Sequence, residues 1–170
     1  MSLDGEIRAL QQGNNDGWQK IVDHYCEQIF AFLSRFTQDR WELEDISQEV
    51  WLRVYTKISL YDFRYPFYTW LLKVTTNVAI NYKRKRRWWE RLSGEDVPQK
   101  KSLDHCEFLD EIHKPLSLLS KRARVIFLLY HYESYSAREI ADILDIPIGT
   151  VKSSLSRSAK LLQNFFGGRT

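Results

Sequence analysis

The chain has 170 residues, of which 44% are apolar and 28% charged, and its formal charge is +3. This composition excludes a disordered polypeptide and suits one ordinary domain or two small ones. There is no run of about 18 apolar residues and no cationic-then-apolar start, so we expect a cytoplasmic protein rather than a membrane-spanning or secreted one.

Apolar residues recur every three to four positions along most of the chain, whereas period-two alternation is missing. This pattern predicts an all-α fold. The predicted helices cover 3–12, 16–37, 41–59, 67–88, 106–119, 121–133, 136–144 and 148–165. The polar segment 93–104, SGEDVPQKKSLD, predicts a flexible linker between two small helical domains, 1–92 and 105–170.

The predicted helix 41–59 carries an acidic side with one apolar residue in it. Its core face contains Leu43, Ile46, Val50 and Val54, and its opposite side contains Asp45, Gln48, Glu49 and Leu52. An exposed leucine bordered by acids is typical of a docking patch for a partner protein. A solvated acidic face formed by Glu42, Glu44, Asp45 and Glu49 explains the same pattern equally well.

The predicted helix 67–88 aligns four side chains suited to nucleic acid. At about 100° per residue, Trp70, Asn77, Asn81 and Arg84 fall on one stripe beside a core face. An aromatic ring can stack on an unpaired base and amides can bond base edges, so the stripe predicts binding of partly unstacked DNA. The alternative for Trp70 is a structural role in the core. The preceding loop adds Phe63, Tyr65 and Tyr68.

A dense basic cluster, Lys83 to Arg87, follows on the same predicted helix. Its arginines, Arg84 and Arg86 among them, would hold phosphates without regard to sequence. The cluster therefore predicts an electrostatic anchor for DNA beside the stripe.

The segment 136–165 has the pattern of a helix-turn-helix. Ser136 and Glu139 form a predicted capping box, and Asp145-Ile146-Pro147 predicts a tight turn before the second helix. In that helix Ile148, Val151, Leu155, Ala159 and Leu162 are expected to face inward. The outer face carries only hydroxyls and cations: Thr150, Lys152, Ser153, Ser156, Arg157 and Lys160. Short polar side chains and cations without acids favour a helix that enters the major groove.

Two patterns together, WELEDISQEVWLRVY…FYTWLLKVTTNVAINYKRKRR and SAREIADILDIPIGTVKSSLSR, resemble the extracytoplasmic-function class of bacterial RNA polymerase sigma factors. The resemblance covers nearly the whole chain and implies that only sigma regions 2 and 4 are present. It implies a subunit that binds RNA polymerase core and directs promoter-specific initiation.

The resemblance also implies roles for single residues. Asp45, Gln48 and Glu49 would dock on the clamp helices of the largest polymerase subunit, which would explain an exposed Leu52. Asn77, Asn81 and Phe63 match positions that read and melt the −10 element. Lys152, Ser153, Ser156 and Arg157 match the helix that reads the −35 element. The family commonly has an anti-sigma partner that masks these surfaces.

Three positions depart from the family pattern. The loop from Phe63 to Trp70 is shorter than usual, Asn81 stands where aspartate is frequent, and Ser120 stands where proline is frequent. The last departure predicts a differently built entry to the second domain.

Two other classes of function fit the sequence less well. An autonomous helix-turn-helix regulator would need a dimer seam or a ligand pocket, and neither has a signal in the sequence. An enzyme would need converging acids, a metal site or a nucleophile with its base, and we find none. Cys26 and Cys106 are far apart and do not form a zinc array with His24 and His105, so we expect no metal and no cofactor.

Overall fold

The computed structural model describes residues 3–93 and 113–167, and of 83–93 it describes the backbone alone. The described residues form α-helices joined by short turns and contain no β-strand. In chain order the helices are α1 (Asp4–Gln11), α2 (Trp18–Phe36), α3 (Arg40–Lys57), α4 (Phe67–Ser93), α5 (Lys121–His131), α6 (Ala137–Leu144) and α7 (Ile148–Gly167). A 3-10 helix, Ile58–Leu60, follows α3, and residues 113–117 form a helical segment before α5.

The predicted all-α class is confirmed, and the helix bounds agree with the sequence pattern to within a few residues except at two places. Helix α4 continues to Ser93 rather than ending near residue 88. Most of the predicted helix 106–119 and of the linker 93–104 lies outside the described residues.

The N-terminal half is built around α2, α3 and α4. Asp39 caps α3 by accepting hydrogen bonds from the backbone N–H groups of Trp41 and Glu42. The predicted core faces are confirmed, because every member is at most 9% exposed: Leu43, Ile46, Val50 and Val54 in α3, and Phe67, Leu71, Val74 and Val78 in α4. This packing fixes which sides of α3 and α4 remain available to partners.

The C-terminal half is the predicted helix-turn-helix preceded by α5. Ser120 caps α5 by accepting a hydrogen bond from the N–H of Ala123 at 3.3 Å. A serine cap therefore begins this helix at the position where proline is frequent in the family. Ser136 and Glu139 form the predicted capping box of α6. Asp145 adopts a left-handed conformation with φ 53°, which turns the chain sharply before Pro147 and α7.

The two halves pack against each other. Helix α5 contacts α2 and α4, α6 contacts α4, and the buried apolar residues of both halves form one cluster. Polar contacts cross the same boundary: Arg124 Nη1 donates to the Phe36 carbonyl at 2.6 Å, and Tyr68 Oη donates to Glu133 Oε2 at 3.0 Å. Burial lowers the pKa of Arg124, with Glu42 opposing that shift. A docked arrangement of the halves was not predicted from the sequence.

None of the helices in the described segments is long and apolar enough to cross a membrane.

Candidate protein-docking and nucleic-acid interfaces

The outward side of α3 forms a surface that we call the docking face: Asp45, Gln48, Glu49 and Leu52. Asp45 and Gln48 are exposed, and Leu52 is 60% exposed in spite of its apolar side chain. Glu49 is half-buried because its Oε1 accepts a hydrogen bond from Arg53 Nε at 2.8 Å. Asp45 Oδ2 accepts from Tyr82 Oη at 2.7 Å, which ties the docking face to α4.

The alternative of a uniformly solvated acidic face on α3 is wrong at Glu42. This side chain is only 4% exposed, and its Oε2 accepts a hydrogen bond from Thr37 Oγ1 at 2.8 Å. Its Oε1 lies 3.5 Å from Lys121 Nζ in the other half of the chain. The acids of α3 therefore have different environments: Glu42 forms an internal ion pair, Glu44 pairs with Arg40 near the surface at 2.9 Å, and Asp45 and Glu49 belong to the docking face.

Helix α4 presents the two predicted amides to solvent. Asn77 and Asn81 are exposed, and Asn81 Nδ2 donates to the Asn77 carbonyl at 2.8 Å. The four side chains of the predicted stripe, Trp70, Asn77, Asn81 and Arg84, lie along one helix by their spacing. The side chains of Arg84 and Arg86 lie outside the described residues, as does the rest of the predicted basic cluster.

Trp70 begins the stripe but packs inward in part. Its ring centroid lies 5.7 Å from that of Tyr61 and 5.5 Å from that of Phe67. Half-buried aromatics in such a cluster keep one edge accessible and hold the other in the core. Trp70 therefore has the structural role in part, because one side of its ring packs in the core. Its role in stacking on a base stays a prediction.

The loop between Leu60 and Phe67 is folded back on the aromatic cluster. Phe63 is half-buried and has φ 60°, a left-handed conformation that is rare for a large side chain. Tyr61 Oη donates to the Tyr65 carbonyl at 2.8 Å, and Tyr65 is 59% exposed. Tyr68, which was expected near DNA, instead contacts Glu133. Burial is the main cause that raises the pKa of the Tyr68 phenol well above 10, and the Glu133 carboxylate is the second.

The outward side of α7 forms a surface that we call the reading face. Its exposed members are Lys152, Ser153, Ser156, Arg157 and Lys160, while Thr150 at its start is half-buried. Arg157 Nε donates to the Ser153 carbonyl at 3.2 Å, and Ser153 Oγ donates to the Thr150 carbonyl at 3.1 Å. Every charge on this face is positive, as the sequence predicted.

The predicted inward face of α7 is wrong in two positions. Ile148 is 42% exposed and Ala159 is exposed, whereas Ser154 and Ser158 are 8% and 2% exposed. Helix α7 packs against both α5 and α6, and the small serines let the backbones approach closely. Apolar periodicity alone misses such positions because the small polar residues bury little apolar area.

Sequence reasoning also missed two residues of α1 that contact the loop. Gln11 Nε2 donates to the carbonyl oxygens of Ile58 at 2.9 Å and Tyr61 at 2.6 Å. Arg8 places Cζ 3.8 Å from the centroid of the Phe63 ring. These partners lie about fifty positions apart in the chain, so no local pattern connects them.

The docking face, the exposed amides of α4 and the reading face are three separate solvent-facing surfaces on three helices. Within the described segments no group of three or more histidine, cysteine or carboxylate side chains could hold a metal ion. The arrangement suits recognition of a protein and of DNA at several points.

The chain matches two models of one protein family. Residues 21–89 match the model of sigma-70 region 2, and residues 109–162 match the model of sigma-70 region 4. The chain belongs to the extracytoplasmic-function class of sigma factors. This sigma factor binds RNA polymerase and directs transcription initiation at promoters.

Curated relatives of this sigma factor align along nearly their whole length. The extracytoplasmic-function RNA polymerase sigma factor SigW of Bacillus subtilis is 27% identical over 179 aligned positions, covering 96% of each chain. The sigma-E factor of Haemophilus influenzae is 26% identical and covers 93% of this chain and 92% of its own.

Two solved structures share the fold. The sigma factor RpoE from Bartonella quintana, in complex with the anti-sigma factor NepR, has a TM-score of 0.68 and 23% identity, covering 89% of this chain and 98% of its own. CnrH in complex with the cytosolic domain of CnrY has a TM-score of 0.69 and 18% identity, covering 97% of each chain.

Proposed function

We propose that the sigma factor divides its work among the three surfaces described above. The docking face binds the clamp helices of the largest polymerase subunit. The exposed amides of α4, together with the loop around Phe63, read and open the −10 element, while Arg84 and Arg86 anchor the phosphates. The reading face of α7 recognises the −35 element.

The observation that carries the docking assignment is Leu52. Leu52 is 60% exposed on a helix whose opposite side is buried. Exposure of this apolar side chain to water is unfavourable, so covering it with a partner protein would lower the free energy. Apolar centres ringed by polar groups are typical of protein interfaces. Asp45, Gln48 and Glu49 supply that ring and give the contact its charge.

The DNA assignments rest on side-chain chemistry. Amides such as Asn77 and Asn81 can form paired hydrogen bonds with base edges, and the short hydroxyls and cations of α7 suit close approach to a groove and its phosphates. The division into domains 1–92 and 105–170 assigns the −10 surface to the first and the −35 surface to the second.

We further propose that the chain acts in the cytoplasm and has no catalytic activity of its own, because polymerase supplies the chemistry. Some structural relatives are bound to anti-sigma factors. We expect that an anti-sigma factor covering the docking face or the DNA surfaces would inhibit this chain.

In vitro transcription with purified core polymerase on genomic fragments tests the proposal. We expect transcripts that start at a small set of sites only when core and the chain are both present. Leu52→Asp should abolish them, because a buried charge without a partner opposes docking, while the purified chain keeps its helical circular dichroism. Transcription that is unaffected by Leu52→Asp would refute the docking assignment, and binding of a dimer to palindromic DNA without polymerase would favour an autonomous regulator.

A further inference from the structure

Helix α1 precedes the segment 21–89 that matches sigma-70 region 2, yet it contacts the loop assigned to the −10 element. The helix is anchored by Ile7 and Leu10, which are 0% and 6% exposed. From this anchored position Gln11 donates to two carbonyl groups, that of Ile58 in the 3-10 helix and that of Tyr61 at the start of the loop. The loop therefore depends on α1 for its shape.

Phe63 is the residue of the loop that most needs such support. Its left-handed backbone carries a cost of about 1–3 kcal/mol, and it persists where the surroundings hold it. The Tyr61 ring packs against it at a centroid distance of 4.6 Å, and the Arg8 guanidinium lies over its ring at 3.8 Å. An unpaired base cannot reach that covered face of Phe63 without displacing Arg8.

Arg8 is itself exposed. A guanidinium is planar, so a group that stacks on an aromatic ring with one face can stack on a second planar group with the other. Unpaired bases stack on arginine planes as well as on aromatic rings. Arg8, exposed and with its Cζ 3.8 Å from the Phe63 ring centroid, is therefore placed where it can offer a stacking surface at the loop.

We propose that Arg8 binds an unpaired base of the opened −10 region by stacking the base on its guanidinium, with Phe63 supporting that guanidinium. The inference rests on the proposed function, because it takes the loop to meet the opened promoter strand. It adds a DNA-binding residue from outside the matched region 2 segment. It also gives the covered Phe63 an indirect part in binding the base.

The chemistry separates this role from simple attraction to phosphate. A phosphate contact needs a positive charge, so lysine would replace arginine with little loss. A stacking platform needs the plane, which lysine lacks. Arg8→Lys therefore removes the proposed contact while keeping the charge, and Arg8→Ala removes both.

The test uses holoenzyme reconstituted from purified core polymerase and the full chain. One promoter, found by transcription with the wild type, is prepared as a full duplex and as a probe with an unpaired −10 region carrying 2-aminopurine at each unpaired position in turn. The variants are Arg8→Lys and Arg8→Ala. Lys20→Ala is the matched control, because Lys20 is a neighbouring cation that pairs with Glu6 of α1 at 3.7 Å.

We expect both Arg8 variants to bind the unpaired probe roughly tenfold more weakly than the wild type, and one 2-aminopurine position to brighten as its base unstacks. Affinity for the duplex should change by less than about twofold, and Lys20→Ala should match the wild type in every measurement.

Wild-type affinity in Arg8→Lys would overturn the proposal in favour of a phosphate contact. Weaker binding of the unpaired probe with no change in 2-aminopurine emission at any position would overturn it in favour of a purely structural role in the loop. If wild-type holoenzyme starts no transcript on any fragment, no promoter is found and the proposed function itself fails, and that outcome is distinct from failure of the Arg8 variants alone.

Discussion

Glu42 and Glu49 lie on one helix, and their environments are opposite. Glu42 is 4% exposed and pairs with a lysine of the other half, whereas Glu49 lies at the edge of the docking face beside Arg53. Both residues fit an acidic surface in the sequence. Periodicity places them on α3 correctly, but only the position of Lys121, far along the chain, decides which acid is internal.

Charge reversal at Glu49 tests whether this residue of the docking face contacts core polymerase. We expect Glu49→Lys to weaken binding to core polymerase by about 2 kcal/mol or more, because a charge at the docking face changes sign. The fold should persist, since the lost pair with Arg53 is a partly exposed i,i+4 pair within a single helix, worth only about 0.5 kcal/mol. Glu27→Lys, which reverses an exposed acid on α2, is the control. Equal affinities for wild type and Glu49→Lys would return Glu49 to an ordinary solvated role.

At the scale of the element, the helix-turn-helix depends on how α6 begins. The Ser136 side chain accepts a hydrogen bond from the N–H of Glu139 at 3.3 Å, and Glu139 accepts one from the N–H of Ser136 at 2.8 Å. We expect Ser136→Ala to destabilise the protein by about 1 kcal/mol, measured by thermal unfolding. Ser117→Ala, which removes another exposed serine bonded to a nearby carbonyl, should have a smaller effect. A larger loss in Ser117→Ala would contradict the importance of the cap.

The same cap predicts a dependence on pH. Hydrogen bonds from the Ser136 side chain and then its backbone hold the pKa of Glu139 below its usual value. The folded pKa is thus lower than the unfolded pKa, so the stabilisation is present above the unfolded pKa and is lost as pH falls through the folded one. The stability difference between wild type and Glu139→Ala should therefore shrink on acidification. A difference that stays constant down to the lowest pH at which the chain folds would contradict this linkage.

The helices themselves were largely predictable, since apolar spacing, the capping box and the Asp145–Pro147 turn are local signals. Helix α7 shows the limit of such signals. Its buried serines, Ser154 and Ser158, are set by close contact with α5 and α6 rather than by hydrophobicity. The solvent exposure of the reading face was nevertheless predicted correctly, except that Thr150 is half-buried, because exclusion of acids from one side is visible in sequence. Its role in binding DNA stays a prediction.

For the whole molecule, the docked halves are the feature that sequence could least anticipate. The hydrogen bonds between them join residues 65 to 88 positions apart, among them Tyr68 with Glu133 and Phe36 with Arg124. A compact chain of this length has a radius of gyration of about 16 Å, whereas −10 and −35 elements about 25 base pairs apart span roughly 85 Å of DNA. We therefore expect the halves to separate when both elements are bound.

The buried pair of Glu42 and Lys121 offers a way to test the docked state. Lys121→Glu should destabilise the docked arrangement by about 3 kcal/mol, because it leaves Glu42 beside a like charge. The radius of gyration of the free chain, from small-angle X-ray scattering, should rise above that of the wild type. Lys114→Glu, at an exposed lysine, should leave it unchanged. A compact Lys121→Glu variant with wild-type thermal stability would show that the pair does not hold the halves together.

Helix α4 is proposed to read bases with its amides and to anchor phosphates with its basic cluster, and these two kinds of residue should fail differently when they are changed. Holoenzyme binding is measured at several salt concentrations on a matched promoter and on one altered in its −10 element. Asn77→Ala should reduce discrimination between the two promoters by about 1–3 kcal/mol and leave the salt dependence of binding nearly unchanged. The double change Arg84→Ala and Arg86→Ala should instead lower the slope of log affinity against log salt by about 2 on both promoters. If Asn77→Ala instead weakens binding to both promoters equally and flattens the salt slope, α4 is an electrostatic surface and does not read bases.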